Sequence, residues 1–104
     1  MKIAIDFDGT IAKRKGIPTI HESTQDLEPM DGARESLEAL INDGHEIYIL
    51  TTHEPLEEVN EWLEIHGFPH GFKVTNVKQS GTQVYIDDRA IRFTNWQDVR
   101  KYFI

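Results

Sequence analysis

The sequence predicts an α/β fold built on a mostly parallel sheet. Short apolar runs alternate along the chain with longer segments whose apolar residues are spaced as on one face of a helix, which is typical of such a sheet. The first run, Lys2–Phe7, has no polar alternation before its end, as expected for a strand buried on both faces. With 104 residues and no internal repeat, the chain is predicted to form one domain, residues 1–104.

The first helix is expected over Asp31–Asn42, and a second strand is expected over His45–Leu50. Apolar residues at helical spacing mark the helix, namely Ala33, Leu37, Leu40 and Ile41. Asp31 is suited to cap the start of this helix, and Gly44 is suited to close its end.

The second helix is predicted over Pro55–His66, and it is followed by strands near Phe72–Thr75 and Gln83–Ile86. Pro55 suits the first turn of a helix, and Gly67 suits its C-terminal cap. The apolar stripe of this helix consists of Leu56, Val59 and Leu63.

The C-terminal part of the chain is predicted to add a short strand that includes Ile91–Phe93, and then a closing helix. Asn95 is suited to cap the start of that helix. Its buried side is expected to consist of Trp96, Val99 and Phe103.

Charge and composition exclude several classes of protein. The net charge of the chain is −7, which makes it a poor partner for duplex nucleic acid. There are no cysteines, so neither a disulfide framework nor a thiolate metal site is expected. No apolar run approaches the roughly 20 residues of a membrane span, and no signal peptide precedes the first strand. A cytoplasmic location without membrane partners is therefore the expectation.

Two carboxylates stand at the end of the first predicted strand. Asp6 and Asp8 are two residues apart, and residues at that spacing on a strand point to the same face. If the strand stops at Asp6, a turn permitted by Gly9 can fold Asp8 back over its end. The carboxyl ends of strands are where open α/β sheets bind ligands. Two acids so close repel each other unless a cation or a protonation difference separates them.

Further motifs follow in a fixed order. Thr51 ends a predicted strand, Lys78 comes later, and the pair Asp87-Asp88 ends the strand near Gln83–Ile86. Together with Asp6-Phe7-Asp8-Gly9-Thr10, they resemble the four motifs of the haloacid dehalogenase (HAD) superfamily, most of whose members are aspartate-nucleophile phosphatases. The resemblance covers nearly the whole chain, and it depends on the ordered set rather than on any one motif.

The resemblance implies a Rossmann-like HAD core, which is a doubly wound, mostly parallel sheet in three α/β/α layers. Strand one then lies between strands two and four. That order would bring Asp6, Asp8, Thr51 and Asp87 to one edge of the sheet.

The resemblance also implies a Mg²⁺-dependent phosphomonoester hydrolase that forms an aspartyl-phosphate. Asp6 is the implied nucleophile, and Asp8 is the implied general acid and base. The implied metal ligands are Asp6, the main-chain carbonyl of Asp8, and the acidic pair, of which either Asp87 or Asp88 can be the direct ligand.

The transferring phosphoryl group would be held by hydrogen-bond donors and a lysine. The implied phosphate-binding residues are Gly9, Thr10, Thr51, Thr52 and Lys78. Thr51 and Lys78 belong to the catalytic set as well. Lys73 is the alternative to Lys78, although it lies inside a predicted strand. The gap from Lys78 to Asp87 is short, whereas members of the family often place a helix there.

The connector over residues 12–30 is expected to be a flap beside the site. It carries Lys13-Arg14-Lys15, the densest positive run in the chain, which can attract a phosphorylated substrate, although a plain solvated loop is the alternative. Neither this connector nor the segment after strand three has room for a cap domain, so a capless, open site is implied. His53 follows Thr51-Thr52, and it either faces the site or lies outside it.

Several functions remain open at this point. A nucleotide or nucleic-acid-end phosphatase would use the same chemistry on a narrower substrate class. A noncatalytic protein that binds Mg²⁺ or a phospholigand is the alternative outside the enzymes. The physiological substrate is not determined by the sequence, and a homo-oligomer is an open possibility.

Overall fold

The computed structural model describes residues 1–14 and 26–104, and within them it has a four-stranded, all-parallel sheet and three helices. The elements in chain order are β1 (Lys2–Ile5), α1 (Ala33–Asn42), β2 (Glu46–Leu50), α2 (Leu56–Ile65), β3 (Lys73–Thr75), β4 (Val84–Ile86) and α3 (Trp96–Arg100). The predicted α/β class with a parallel sheet is therefore confirmed. Among the helices of the described residues, none combines the length and the apolar character needed to cross a membrane.

The strand order in the sheet is β3-β2-β1-β4. The chain moves outward from β1 to β2 and β3, and then returns across the sheet to place β4 on the other side of β1. Ile5 marks the centre of this arrangement, because it is in register with both Ile49 of β2 and Ile86 of β4. The direction of winding therefore reverses between β1 and β4, and such a reversal is a topological switch point.

One face of the sheet carries the hydrophobic core. Parallel crossovers are almost always right-handed, so two successive steps in one direction put both connecting helices on the same face. Residues from β1, β2, α1 and α2 accordingly share one buried cluster. Its members include Ile3, Ile5, Phe7, Leu37, Ile47, Ile49, Val59, Trp62, Leu63 and Phe68.

The opposite face of the sheet is covered in its centre by the connection between β3 and β4. Ala4 and Tyr48 are buried there. The Tyr48 hydroxyl accepts a hydrogen bond from the Gln79 backbone N–H at 3.1 Å and lies 2.6 Å from Thr82 Oγ1. Residues 76–83 are therefore anchored to the sheet by a buried tyrosine rather than by a helix.

The caps of α1 and α2 differ in part from those predicted. The N-cap of α1 is Gly32 and not the predicted Asp31. The backbone at this position has a φ of +80°, in the left-handed region, which glycine adopts without strain. Asp31 instead pairs with Lys13 at 3.4 Å. Gly44 and Gly67 follow the ends of the two helices with positive φ, as expected of C-terminal glycines.

The C-terminal segment, residues 89–104, differs most from its prediction. Asn95 does cap α3, since its Oδ1 accepts from the Asp98 N–H at 2.9 Å. The described residues Ile91–Phe93 are irregular, so the predicted strand is wrong. The predicted buried side of α3 is also wrong, because Trp96 is 71% exposed and Phe103 is 73% exposed. The helix is only five residues long and ends before Phe103, so its apolar residues form no continuous face.

The expected flap, residues 12–30, lies mostly on residues 15–25, which are outside the described residues, and Lys15 is among them. The described ends of this connector meet each other. Lys13 N–H donates to the Glu28 carbonyl at 2.7 Å, and Met30 N–H donates to the Ile11 carbonyl at 2.8 Å. The connector therefore leaves and rejoins the body of the protein at one place, beside the end of β1.

Candidate functional site

Three carboxylates meet at the carboxyl edge of the sheet, at the switch point between β1 and β4. Asp6 follows β1 directly, and Asp87 and Asp88 follow β4. Oxygen atoms of these three residues, one from each, all lie within 4.8 Å of one another. Parallel pairing explains the meeting: the Asp6 N–H donates to the Ile86 carbonyl at 2.9 Å, which aligns the residues that follow the two strands.

The charge of this cluster depends on the pKa of Asp6. Burial raises its pKa from the ordinary value of 3.8 to about 7, and the neighbouring Asp87 carboxylate adds to the rise. Asp88 acts in the same direction, whereas a hydrogen bond with the Phe7 backbone opposes it. A cation bound between these carboxylates would favour the ionised form of Asp6.

A tight turn after β1 contains Asp8 and Gly9. The Phe7 ring is fully buried in the core, and its carbonyl accepts hydrogen bonds from the backbone N–H groups of Ile11 and Ala12, both at 3.0 Å. Gly9 has a φ of +82°, and a Cβ at this position would collide with Asp88 Oδ2 and lie 2.6 Å from Arg14 Nε. The positive φ therefore favours glycine here, and any larger residue would also displace the side chains of Asp88 and Arg14.

His53 faces the site and contacts Asp8. Its Nδ1 lies 3.3 Å from both carboxylate oxygens of Asp8, and its side chain is only 8% exposed. Its Nε2 lies 4.0 Å from a Glu58 oxygen. Sequence reasoning left the placement of His53 open. The signal that pointed to it was its position two residues after Thr51.

Thr51 is buried, 3% exposed, directly after β2. Its Oγ1 accepts a hydrogen bond from the His53 backbone N–H at 3.1 Å. The Thr51 hydroxyl therefore keeps its own hydrogen for another acceptor. Thr52, next in the chain, is exposed.

Arg14 joins two parts of the site that come from distant parts of the chain. Its Nε donates to Asp88 Oδ2 at 3.2 Å, and its Nη2 donates to the main-chain carbonyl of Asp8, also at 3.2 Å. The motif that the sequence placed on a flap thus supplies a cation to the acidic cluster itself. Sequence reasoning missed this contact, because Arg14 and Asp88 are separated by 74 positions.

The two candidate lysines are not brought to the acids. Lys78 is exposed, and its Nζ lies 5.1 Å from the centre of the Tyr85 ring. In residues 1–14 and 26–104, no ion pair joins Lys78 or Lys73 to the site carboxylates. Thr10 lies in the turn beside Gly9, and its buried Oγ1 has no hydrogen-bond partner among the described residues.

The donor set at this edge consists of oxygen atoms, and such hard ligands suit Mg²⁺ or Ca²⁺ rather than a thiolate-bound metal. No protein-family model matches the chain, and neither the curated proteins nor the solved structures contain a match to it.

Proposed function

We propose that this chain is a Mg²⁺-dependent phosphomonoester hydrolase of the HAD type, with Asp6 as its nucleophile. The observation that carries the proposal is the convergence of Asp6, Asp87 and Asp88 at the switch point of a parallel sheet, with Arg14 joining the main-chain carbonyl of Asp8 to Asp88. The strand order β3-β2-β1-β4 is the order that the family resemblance implies. The doubly wound, three-layer, capless core is part of this proposal.

Mg²⁺ fits the residues at this place. Three carboxylates in one cluster repel each other, and the raised pKa of Asp6 expresses that repulsion together with its burial. The side chains of Asp6 and Asp87 or Asp88, with the Asp8 carbonyl, would hold the ion. Arg14, which donates to Asp88 and to the Asp8 carbonyl in this structure, would have to release these two oxygens. When bound, Mg²⁺ would offset negative charge on both the carboxylates and the phosphate.

The first chemical step would use Asp6 and Asp8 as a pair. An ionised Asp6 oxygen attacks the phosphorus atom, the bond from phosphorus to the ester oxygen breaks, and Asp8 donates its proton to that leaving oxygen. The products of this step are the free alcohol and an aspartyl-phosphate on Asp6. The Thr51 hydroxyl would donate a hydrogen bond to a phosphoryl oxygen, because its hydrogen is not used by His53.

The second step would regenerate the enzyme. Asp8, now a carboxylate, takes a proton from water as the water oxygen attacks phosphorus, and the bond from phosphorus to Asp6 breaks. Inorganic phosphate leaves, Asp6 is again a carboxylate, and Asp8 is again protonated. The role of a phosphate-binding lysine is proposed for Lys78, which would have to leave the Tyr85 ring to reach the phosphoryl group.

The proposal is tested by phosphate release from a panel of phosphate esters, with Mg²⁺ and with a chelator. We expect turnover in Mg²⁺ only. Asp6→Asn should reduce it to background, because the amide keeps the size of the side chain but removes the attacking charge. Asp43→Asn is the matched control and should retain full turnover, since Asp43 is exposed and follows α1 at the amino edge of the sheet. Wild-type turnover in Asp6→Asn would overturn the assignment, and Mg²⁺ binding without turnover of any ester would favour a noncatalytic protein.

A further inference from the structure

The ring of His53 is fixed on several sides. Its backbone N–H is held by Thr51 Oγ1 at 3.1 Å, and its ring makes an edge contact with Phe7, at 5.7 Å between centroids. Phe7 is fully buried in the hydrophobic core. The position of the imidazole is therefore set by the core and by β2, not by a mobile surface side chain.

The direction of the ring gives His53 a defined partner. Nδ1 is equidistant from Asp8 Oδ1 and Oδ2, at 3.3 Å from each, so a hydrogen on Nδ1 points between the two oxygens. Nε2 faces Glu58 on the other side of the ring, at a longer distance of 4.0 Å. Asp8 lies in the turn before Gly9, and among the described residues no other side chain donates to its carboxylate.

We propose that His53 is a positioning residue for Asp8. It donates from Nδ1 to the Asp8 carboxyl group and thereby fixes the direction in which Asp8 presents its proton to the leaving oxygen. This inference rests on the proposed phosphatase function. A group that transfers a proton must be within hydrogen-bond reach of the acceptor, and small errors in placement cost large factors in rate.

The dependence on the leaving group distinguishes positioning from a merely structural role. A phenolate with strongly electron-withdrawing substituents leaves without much help from an acid, whereas an alkoxide requires the proton. Loss of His53 should therefore slow the hydrolysis of alkyl phosphates much more than that of p-nitrophenyl phosphate. A loss of folded protein would reduce both rates by the same factor.

Three variants separate the two nitrogens of the ring. His53→Phe keeps the edge contact with Phe7 but removes both donors. His53→Asn retains an amide nitrogen close to the position of Nδ1, and His53→Gln places its amide nitrogen near the position of Nε2. Asp8→Asn provides the reference for complete loss of the acid.

The test is kcat/KM for each variant on a series of aryl and alkyl phosphates in saturating Mg²⁺, because kcat/KM reports the phosphoryl-transfer step and excludes the later hydrolysis of the aspartyl-phosphate, which is common to all esters. We expect His53→Phe and His53→Gln to lower kcat/KM on the alkyl ester by about 10- to 100-fold, a fraction of the effect of losing a general acid, with less than about threefold change on p-nitrophenyl phosphate. His53→Asn should recover most of the lost rate. Equal factors on both esters, or no rescue by His53→Asn, would overturn the proposal.

A measurement without turnover tests the contact itself. In metal-free protein labelled with ¹⁵N in histidine, the Nδ1 signal of His53 should change in Asp8→Ala while the signals of the distant His45 do not. An unchanged His53 signal would overturn the contact. If the parent hydrolyses no phosphate ester, the proposed function fails and the positioning role fails with it, even where the nuclear magnetic resonance data show the contact. An active parent with the wrong leaving-group dependence leaves the proposed function standing and overturns only the role of His53.

Discussion

The two tryptophans of this protein lie in helices of opposite character. Trp62 of α2 is 2% exposed, packs edge-on against Phe7, and donates from Nε1 to the Leu27 carbonyl at 2.9 Å. Trp96 of α3 is 71% exposed, and its described ring contact is with Phe93, which is itself 58% exposed. Both residues occur in segments with helical spacing of apolar residues, so periodicity alone did not distinguish a core helix from an exposed one.

The same contrast between buried and exposed surroundings divides the residues of the candidate site. Asp6, Asp8 and Thr51 are placed by strands and a turn that are anchored in the hydrophobic core. Asp87 and Asp88 follow β4, a strand of three residues at the edge of the sheet whose side chains are exposed. We infer that the positions of Asp87 and Asp88 depend less on burial than on individual contacts in space, in particular those of Asp88 with Gly9 and Arg14.

The largest expected effect is on stability, at the two tryptophans. Trp62→Ala should lower the free energy of unfolding by about 3–5 kcal/mol, because it leaves a cavity in the core and removes a buried hydrogen bond. Trp96→Ala should change it by no more than about 0.5 kcal/mol, as is usual for exposed positions. Urea denaturation followed by circular dichroism measures both. A cost at Trp96 similar to that at Trp62 would mean that α3 packs on the sheet, as the sequence predicted.

The next prediction compares the stability costs of alanine at Gly9 and at Gly44, which separates the cost of backbone strain from that of the contact with Asp88. Gly9 and Gly44 both have positive φ, at +82° and +89°, but only Gly9 has neighbours where a Cβ would be added. Gly44→Ala should cost about 1 kcal/mol from conformation alone. Gly9→Ala should cost about 1–3 kcal/mol more, because Asp88 and Arg14 must move. Equal costs in denaturant titrations would show that the contact with Asp88 is not tight.

A smaller effect concerns the metal ligands. Binding of Mg²⁺ to the folded state alone should raise stability, by about 1.4 kcal/mol at a concentration ten times the Kd. Asp87→Asn should weaken this response, and Asp43→Asn should leave it unchanged. Thermal unfolding over a series of Mg²⁺ concentrations measures it. An identical Mg²⁺ dependence in Asp87→Asn and the parent would remove Asp87 from the ligand set.

A further effect is a pH dependence of stability in the metal-free protein. Folding raises the pKa of Asp6 from 3.8 to about 7, so the folded state binds this proton more tightly than the unfolded state does. The resulting contribution to stability is fully present below the lower value and is lost as pH rises through the upper one. We expect Asp6→Asn to lack this part of the decline between about pH 4 and pH 7. Urea titrations of both proteins in a chelator at several pH values test this, and parallel pH profiles would contradict it.

The sequence by itself determined the order of strands and helices and the residues that end each strand. Alternating apolar segments predicted a mostly parallel sheet, because hydrophobic periodicity and strand-end position are properties of short segments. The strand order that would bring Asp6, Asp8, Thr51 and Asp87 to one edge came from the family resemblance, not from these patterns. In the structure, Asp6 meets Asp87 and Asp88 at that edge.

Only the tertiary structure decided which of these side chains touch. The contact of His53 with Asp8 spans 45 positions, and that of Arg14 with Asp88 spans 74. Neither contact has a local pattern, since each depends on how a turn and two strand ends are brought together by packing. The exposure of Trp96 was decided in the same way. A helical stripe states which residues share a face, but whether that face meets the sheet depends on elements far away in the chain.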